Sequence, residues 1–141
     1  MSRKKVFVSY DHETDGHCRS LLETWNANPD FDFLFNDRMP REIDKNNVVR
    51  IKVETTVKIN SASHTLVIVG KDANTIHRHQ HLIGFRNWMD FEIHQSKLHG
   101  NKIVAVRLQN DYEFPDELMG AGASWALGFD ENEIIKALNE A

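Results

Sequence analysis

The chain has 141 residues, of which 40% are hydrophobic and 27% charged, with a formal net charge of -4. That length fits a single domain over residues 1–141, with room for one sizeable core. No apolar run reaches the roughly 18 residues of a membrane-spanning helix, and the negative balance leaves no surplus to neutralise a phosphate backbone, so neither a membrane nor a nucleic acid is expected as a partner.

The basic start Met1-Ser2-Arg3-Lys4-Lys5 leads into Val6 to Tyr10, an apolar stretch too short for a secretory signal, and this points to the cytoplasm. Lys5-Val6-Phe7-Val8-Ser9-Tyr10 reads as a β-strand that breaks at Asp11. After the polar stretch Asp11 to Gly16, Cys18, Leu21, Leu22 and Trp25 recur at helical spacing. Cys18 thus reads as a small buried hydrophobe, and as the only cysteine it has no mate for an internal disulfide, in keeping with a reducing compartment. Asn28-Pro29-Asp30 stops the helix, and Phe31-Asp32-Phe33-Leu34-Phe35 predicts a second strand ending in Asn36-Asp37.

Val48 to Ile59 is ambiguous. Val49, Ile51, Val53, Thr55, Val57 and Ile59 alternate with polar residues in the period of a strand. Yet the strands on either side look parallel and buried, and parallel neighbours need a crossover of about a dozen residues or more, usually a helix. A helix is therefore expected here. His64-Thr65-Leu66-Val67-Ile68-Val69-Gly70 and Ile103-Val104-Ala105-Val106 are almost wholly apolar, as for strands covered on both faces. A last short strand is expected through Trp125-Ala126-Leu127, and Asp130 as the cap of a terminal helix carrying Ile134, Ile135 and Leu138. The alternation of strand and helix predicts an α/β sandwich of three layers, with about five parallel strands between helices.

In open α/β sheets, ligands bind beyond the carboxyl ends of the strands. The polar residues expected there are Ser9, Tyr10, Asp11 and His12 after the first strand, Asn36 and Asp37 after the second, and Lys71 and Asp72 after the third. Trp88 and Glu92 stand four apart in Trp88-Met89-Asp90-Phe91-Glu92-Ile93, which places an aromatic plane and an acid on one helix face, a pairing suited to a ribosyl nucleotide. Asp90 would point about 160° away around that helix, so no carboxylate pair forms with Glu92. One pocket would gather Ser9, Tyr10, Asp11, Asn36, Trp88 and Glu92.

Lys5-Val6-Phe7-Val8-Ser9-Tyr10-Asp11, Leu66-Val67-Ile68-Val69-Gly70, Trp88-Met89-Asp90-Phe91-Glu92-Ile93, Gly100-Asn101-Lys102-Ile103-Val104-Ala105-Val106 and the ending Gly120-Ala121-Gly122-Ala123-Ser124-Trp125-Ala126 follow one another in an order that resembles the Toll/interleukin receptor (TIR) domain family. The likeness is to the small stand-alone prokaryotic TIR-like proteins, a group that includes the NAD-consuming subunit of Thoeris antiphage defence. The resemblance implies a flavodoxin-like sheet of five parallel strands. In enzymatic members a glutamate four positions after a tryptophan cleaves the nicotinamide–ribose bond of NAD, and here those positions are Glu92 and Trp88. It further implies Trp88 packing against the sugar or limiting water, and Ser9, Tyr10 and Asp11 holding phosphate or adenosine groups, with NAD as substrate and no cofactor. A homo-oligomer and a downstream effector reached through an ADP-ribose-derived signal are the partners it suggests, and a non-catalytic module acting by association is the alternative.

Asn36-Asp37-Arg38-Met39-Pro40-Arg41-Glu42-Ile43, where signalling relatives carry a loop that contacts other copies, lacks a family signature. The histidine-rich stretch Ala73 to Ile83 reads as a divergent loop that either shifts Trp88 and Glu92 or covers the pocket. His77-Arg78-His79-Gln80-His81 invites a metal reading, but without cysteine or a strand nearby a solvated loop is expected and no metal. A phosphoacceptor of the receiver type would need an aspartate where Val69-Gly70 stands and a lysine near Gly128-Phe129. No Gly-x-Gly-x-x-Gly follows the first strand, which argues against a dinucleotide oxidoreductase.

Overall fold

In the computed structural model, which describes residues 3–38 and 44–141, five parallel strands lie in the order β2-β1-β3-β4-β5. They are β1 (Lys4–Ser9), β2 (Phe33–Asp37), β3 (His64–Val69), β4 (Lys102–Arg107) and β5 (Ser124–Trp125), alternating with helices α1 (His17–Asn26), α2 (Val48–Asn60), α3 (Gln80–Ile83), α4 (Trp88–His99) and α5 (Glu131–Glu140). This is the flavodoxin-like order, in which the chain leaves β1 to one side and later returns to the other. The register sets Val6 beside both Phe35 and His64, and Leu66 beside Val104.

Successive residues of a strand face opposite layers, and the core divides accordingly. Val6, Val8, Leu66, Ile68, Val104 and Val106 meet Cys18, Leu22 and Trp25 of α1 and Ile134, Ala137 and Leu138 of α5. On the other face Val67, Val69, Ile103 and Ala105 meet Met89 and Ile93 of α4, while Val48 and Ile51 of α2 pack on Trp88 and Phe91. β3 is buried along its whole length, as a central strand with helices on both sides must be.

The segment that alternates like a strand is the helix α2. Val48, Ile51, Thr55 and Ile59 form its buried stripe, while Val49, Val53 and Val57 form a second stripe that is 60 to 72% exposed. Two apolar stripes, each repeating at about four residues and offset by two, together mimic a period of two. Two strand boundaries shift from expectation. β2 begins at Phe33, because the Phe31 amide closes a turn onto Asn28 O at 3.2 Å. β5 comprises Ser124 and Trp125, and beyond it Leu127 is 85% exposed. Asp130 caps α5 as expected, accepting from the Glu133 amide at 2.9 Å. Among the described residues no helix is long and apolar enough to cross a membrane.

Candidate active site

β1 ends where the sheet's connections diverge, so the loops after β1 and β3 part there and leave a crevice. A cleft of about 460 Å³ opens at this point, lined by Tyr10, Asp11, His12, Arg38, Asn87, Trp88 and neighbouring residues; the volume lies in the range of small-molecule sites. Alternation sends Ser9 and Tyr10 to opposite faces of the sheet. Ser9 Oγ donates to Glu92 Oε1 at 2.6 Å on the α4 side. Tyr10 Oη donates to Asp37 Oδ2 on the α1 side, where Arg19 Nη1 stands 3.3 Å from Asp37 Oδ1. Burial and the Asp37 carboxylate raise the Tyr10 phenol above its ordinary value.

Helix α4 carries the central pair. Asn87 caps it, Oδ1 accepting from the Asp90 amide at 2.9 Å while Nδ2 donates to Ala73 O and Thr75 O, both at 2.9 Å. One side chain thus fixes the start of α4 to the loop after β3. From that start Trp88 forms a wall of the cleft, while Glu92, one turn on, is buried outside the lining, 2% exposed. Arg38 joins the two. Its guanidinium lies over the Trp88 ring at 5.0 Å, its Nε is 3.4 Å from Glu92 Oε2, and it also lines the cleft. Burial pushes the Glu92 carboxyl up to about 7, against the opposing pull of the Arg38 charge and the Ser9 hydrogen bond. The carboxyl therefore titrates well above an ordinary glutamate, in a buried niche next to residues that line the cavity. Asp90 faces away, accepting from the Glu117 amide at 3.2 Å, and makes no pair with Glu92.

At the mouth, Thr14 Oγ1 lies 3.1 Å from Asp11 Oδ2 and 2.6 Å from Asp72 Oδ2, tying the loop after β1 to the loop after β3. His12 packs on Tyr10 with ring centroids 4.5 Å apart. Burial, reinforced by the Arg38, Arg19 and Lys58 charges, lowers its imidazole to about 3, so it is neutral at pH 7.

The structure brings Tyr10, Asp11 and Trp88 to one cleft, whereas Ser9 and Glu92 are buried outside its lining and reach it through Arg38. Asn36 is not among them. It is exposed on the edge strand β2, bordering a separate depression beside α1, and its Oδ1 accepts from the neighbouring Asp37 amide. Asp37, one residue on, is buried against Tyr10 and Arg19 on the α1 side and borders the same depression. Lys71 is exposed outside the cleft lining. Arg38 had no role assigned from the sequence; the signal for it was a cation one residue beyond the end of β2, at the same rim as the other candidates. The rest of that loop, residues 39–43, lies outside the described residues. The histidine-rich stretch contains the short helix α3, and the His77 amide donates to Arg86 O at 2.8 Å, closing the loop ahead of α4. His77 and His79 stand with ring centroids 5.7 Å apart, and among the described residues no three His, Cys, Asp or Glu side chains are grouped to hold a metal ion.

No curated protein matches the chain in sequence. Among solved structures it is similar to a 2-deoxyribosyltransferase from the psychrotolerant bacterium Bacillus psychrosaccharolyticus, with 11% identity over 93% of this chain and 90% of that one and a TM-score of 0.56. It is also similar to the CMP N-glycosidase BcmB of Clostridium botulinum, with 12% identity over 98% of this chain and all of that one and a TM-score of 0.53. At such identities the likeness is one of fold. The sequence profile of the family described as Thoeris protein ThsB, TIR-like domain, matches residues 7–113, and the chain belongs to that TIR-like family.

Proposed function

We propose that this protein cleaves the nicotinamide–ribose bond of NAD, with Glu92 as the catalytic residue, and that it serves Thoeris antiphage defence by releasing nicotinamide and an ADP-ribose-derived signal. The observation that carries this reading is a buried carboxyl, held by Ser9 and by the cleft-lining Arg38, that burial raises to about 7. When the C1′–N bond breaks, its electron pair goes to the pyridinium nitrogen, so nicotinamide leaves neutral and positive charge passes to the ribose. No general acid is needed. A fixed carboxylate in a dry niche lowers the energy of that cationic ribose more than that of the ground state. Water, or a hydroxyl of the same nucleotide, then adds to C1′ and loses a proton. The names of the two similar structures denote chemistry at the glycosidic carbon of nucleosides and nucleotides, in keeping with this reaction class.

The test is nicotinamide release from NAD by purified protein, beside a Glu92→Gln variant, across pH 5 to 9. Release is expected to rise as Glu92 ionises through about pH 7, and the variant to lose about a hundredfold or more. A wild type inert at high protein concentration, or a fully active variant, refutes the proposal. The second reading, a non-catalytic module acting by association, is favoured by the exposed Val49, Val53 and Val57 stripe of α2. It predicts an inert protein whose mass by light scattering rises with concentration.

A further inference from the structure

Among the described residues, four buried polar atoms without a hydrogen-bond partner belong to cleft-lining residues: His12 Nδ1, Arg38 Nε and Nη1, and Trp88 Nε1, the Nε facing Glu92 as an ion pair at 3.4 Å. Buried donors are nearly always satisfied. They sit on residues that line one cavity, where the oxygen atoms of a ligand would supply Arg38 and Trp88 with acceptors. Arg38 is the unusual member. Its side chain is only 7% exposed, it is permanently charged, and it has a single described ionic partner, Glu92. In the proposed reaction the same carboxylate must face a ribose that becomes cationic, and a fixed guanidinium 3.4 Å away opposes that charge. The two cations compete for one anion.

We propose that Arg38 is an exchangeable counter-cation: it lies across Trp88 and pairs with Glu92, and when a dinucleotide binds it turns to the anionic diphosphate, leaving Glu92 to the cationic nicotinamide ribose. The exchange conserves charge pairing, because NAD brings both a cation for Glu92 and an anion for Arg38. Arginine suits the second role, since its planar fork meets phosphate oxygens in pairs, and its place in the cleft lining gives it access without crossing the core. A substrate with the cation alone, such as nicotinamide riboside, would strand the Arg38 charge in a buried site. Arg38 is thus a specificity-determining residue that selects phosphorylated nucleotides over nucleosides. The inference takes its substrate from the NAD-cleaving reading, and ligand binding separates the two.

The experiment compares wild type, Arg38→Gln and Arg38→Lys, each checked for folding by circular dichroism, in nicotinamide release from NAD and from nicotinamide riboside, and in calorimetric binding of ADP-ribose. The Gln variant should lower the preference for NAD over the riboside by about tenfold or more and weaken ADP-ribose by a similar factor, with Lys intermediate. A general loss of structure would depress both substrates together and leave their ratio unchanged. An unchanged ratio together with unchanged ADP-ribose affinity overturns the inference. Should no protein release nicotinamide, the catalytic reading fails by itself and ADP-ribose binding decides: no binding by wild type, or equal binding by the Gln variant, overturns the role of Arg38. If the Gln variant does not fold, the Lys variant carries the same comparison.

Discussion

Replacing Glu92 by glutamine removes one ionisation from the centre of the protein and leaves the shape almost unchanged. Burial raises the Glu92 carboxyl from 4.5 to about 7, even with Arg38 beside it. That rise means that ionising this group costs the folded protein about 3 kcal/mol more than the unfolded chain. Desolvation therefore outweighs the Arg38 attraction, as often happens for buried ion pairs. An acid with a raised folded pKa contributes stability that is fully present below its unfolded value, near 4.5, and is lost as pH climbs through about 7. Wild type should lose up to about 3 kcal/mol between pH 4.5 and 8 that Glu92→Gln retains, on top of the constant cost of leaving Arg38 unpaired in the variant. Urea denaturation of both proteins at half-unit pH steps measures this, since every other titrating group cancels in the difference. Parallel curves would falsify the account of Glu92 as a net desolvated charge.

Asn87→Ala removes three hydrogen bonds at 2.9 Å, the cap of α4 and both ties to the loop after β3. It should cost about 2–4 kcal/mol by chemical denaturation, whereas a loss below half a unit would show that the cap does not anchor the helix. At Gly70 an added Cβ would stand 1.8 Å from Asp15 Oδ2 and 2.4 Å from its Cγ, so Gly70→Ala should destabilise by about 1–3 kcal/mol. Combining it with Asp15→Ala should recover most of that loss, and simple additivity of the two would refute the clash.

The sheet was legible because β3 and β4 are apolar runs bounded by polar residues, a pattern that a strand buried on both faces imposes. α2 was legible only through topology: its residue pattern, read alone, is that of a strand, and the need to join parallel neighbours decided it. The Trp88 and Glu92 spacing placed both on one side of α4, where the structure has them. Asn36 and Arg38 show where such reasoning stops. Neighbouring polar residues at a strand's end point to different sides, and which one turns inward depends on a register that local sequence does not carry. The link between Arg38 and Glu92 spans more than fifty residues, and no local pattern signals it.

The paired stripes of α2 also bear on what happens when the chain opens. Released from its neighbours, this segment has the alternation and the β-branched side chains of an aggregation-prone window. Arg50, Lys52, Glu54 and Lys58, set between the valines and isoleucines, act as gatekeepers by placing charge on any stack of such segments. Neutral substitutions at these positions should leave the native protein soluble yet make its refolding from denaturant prone to fibrous precipitation.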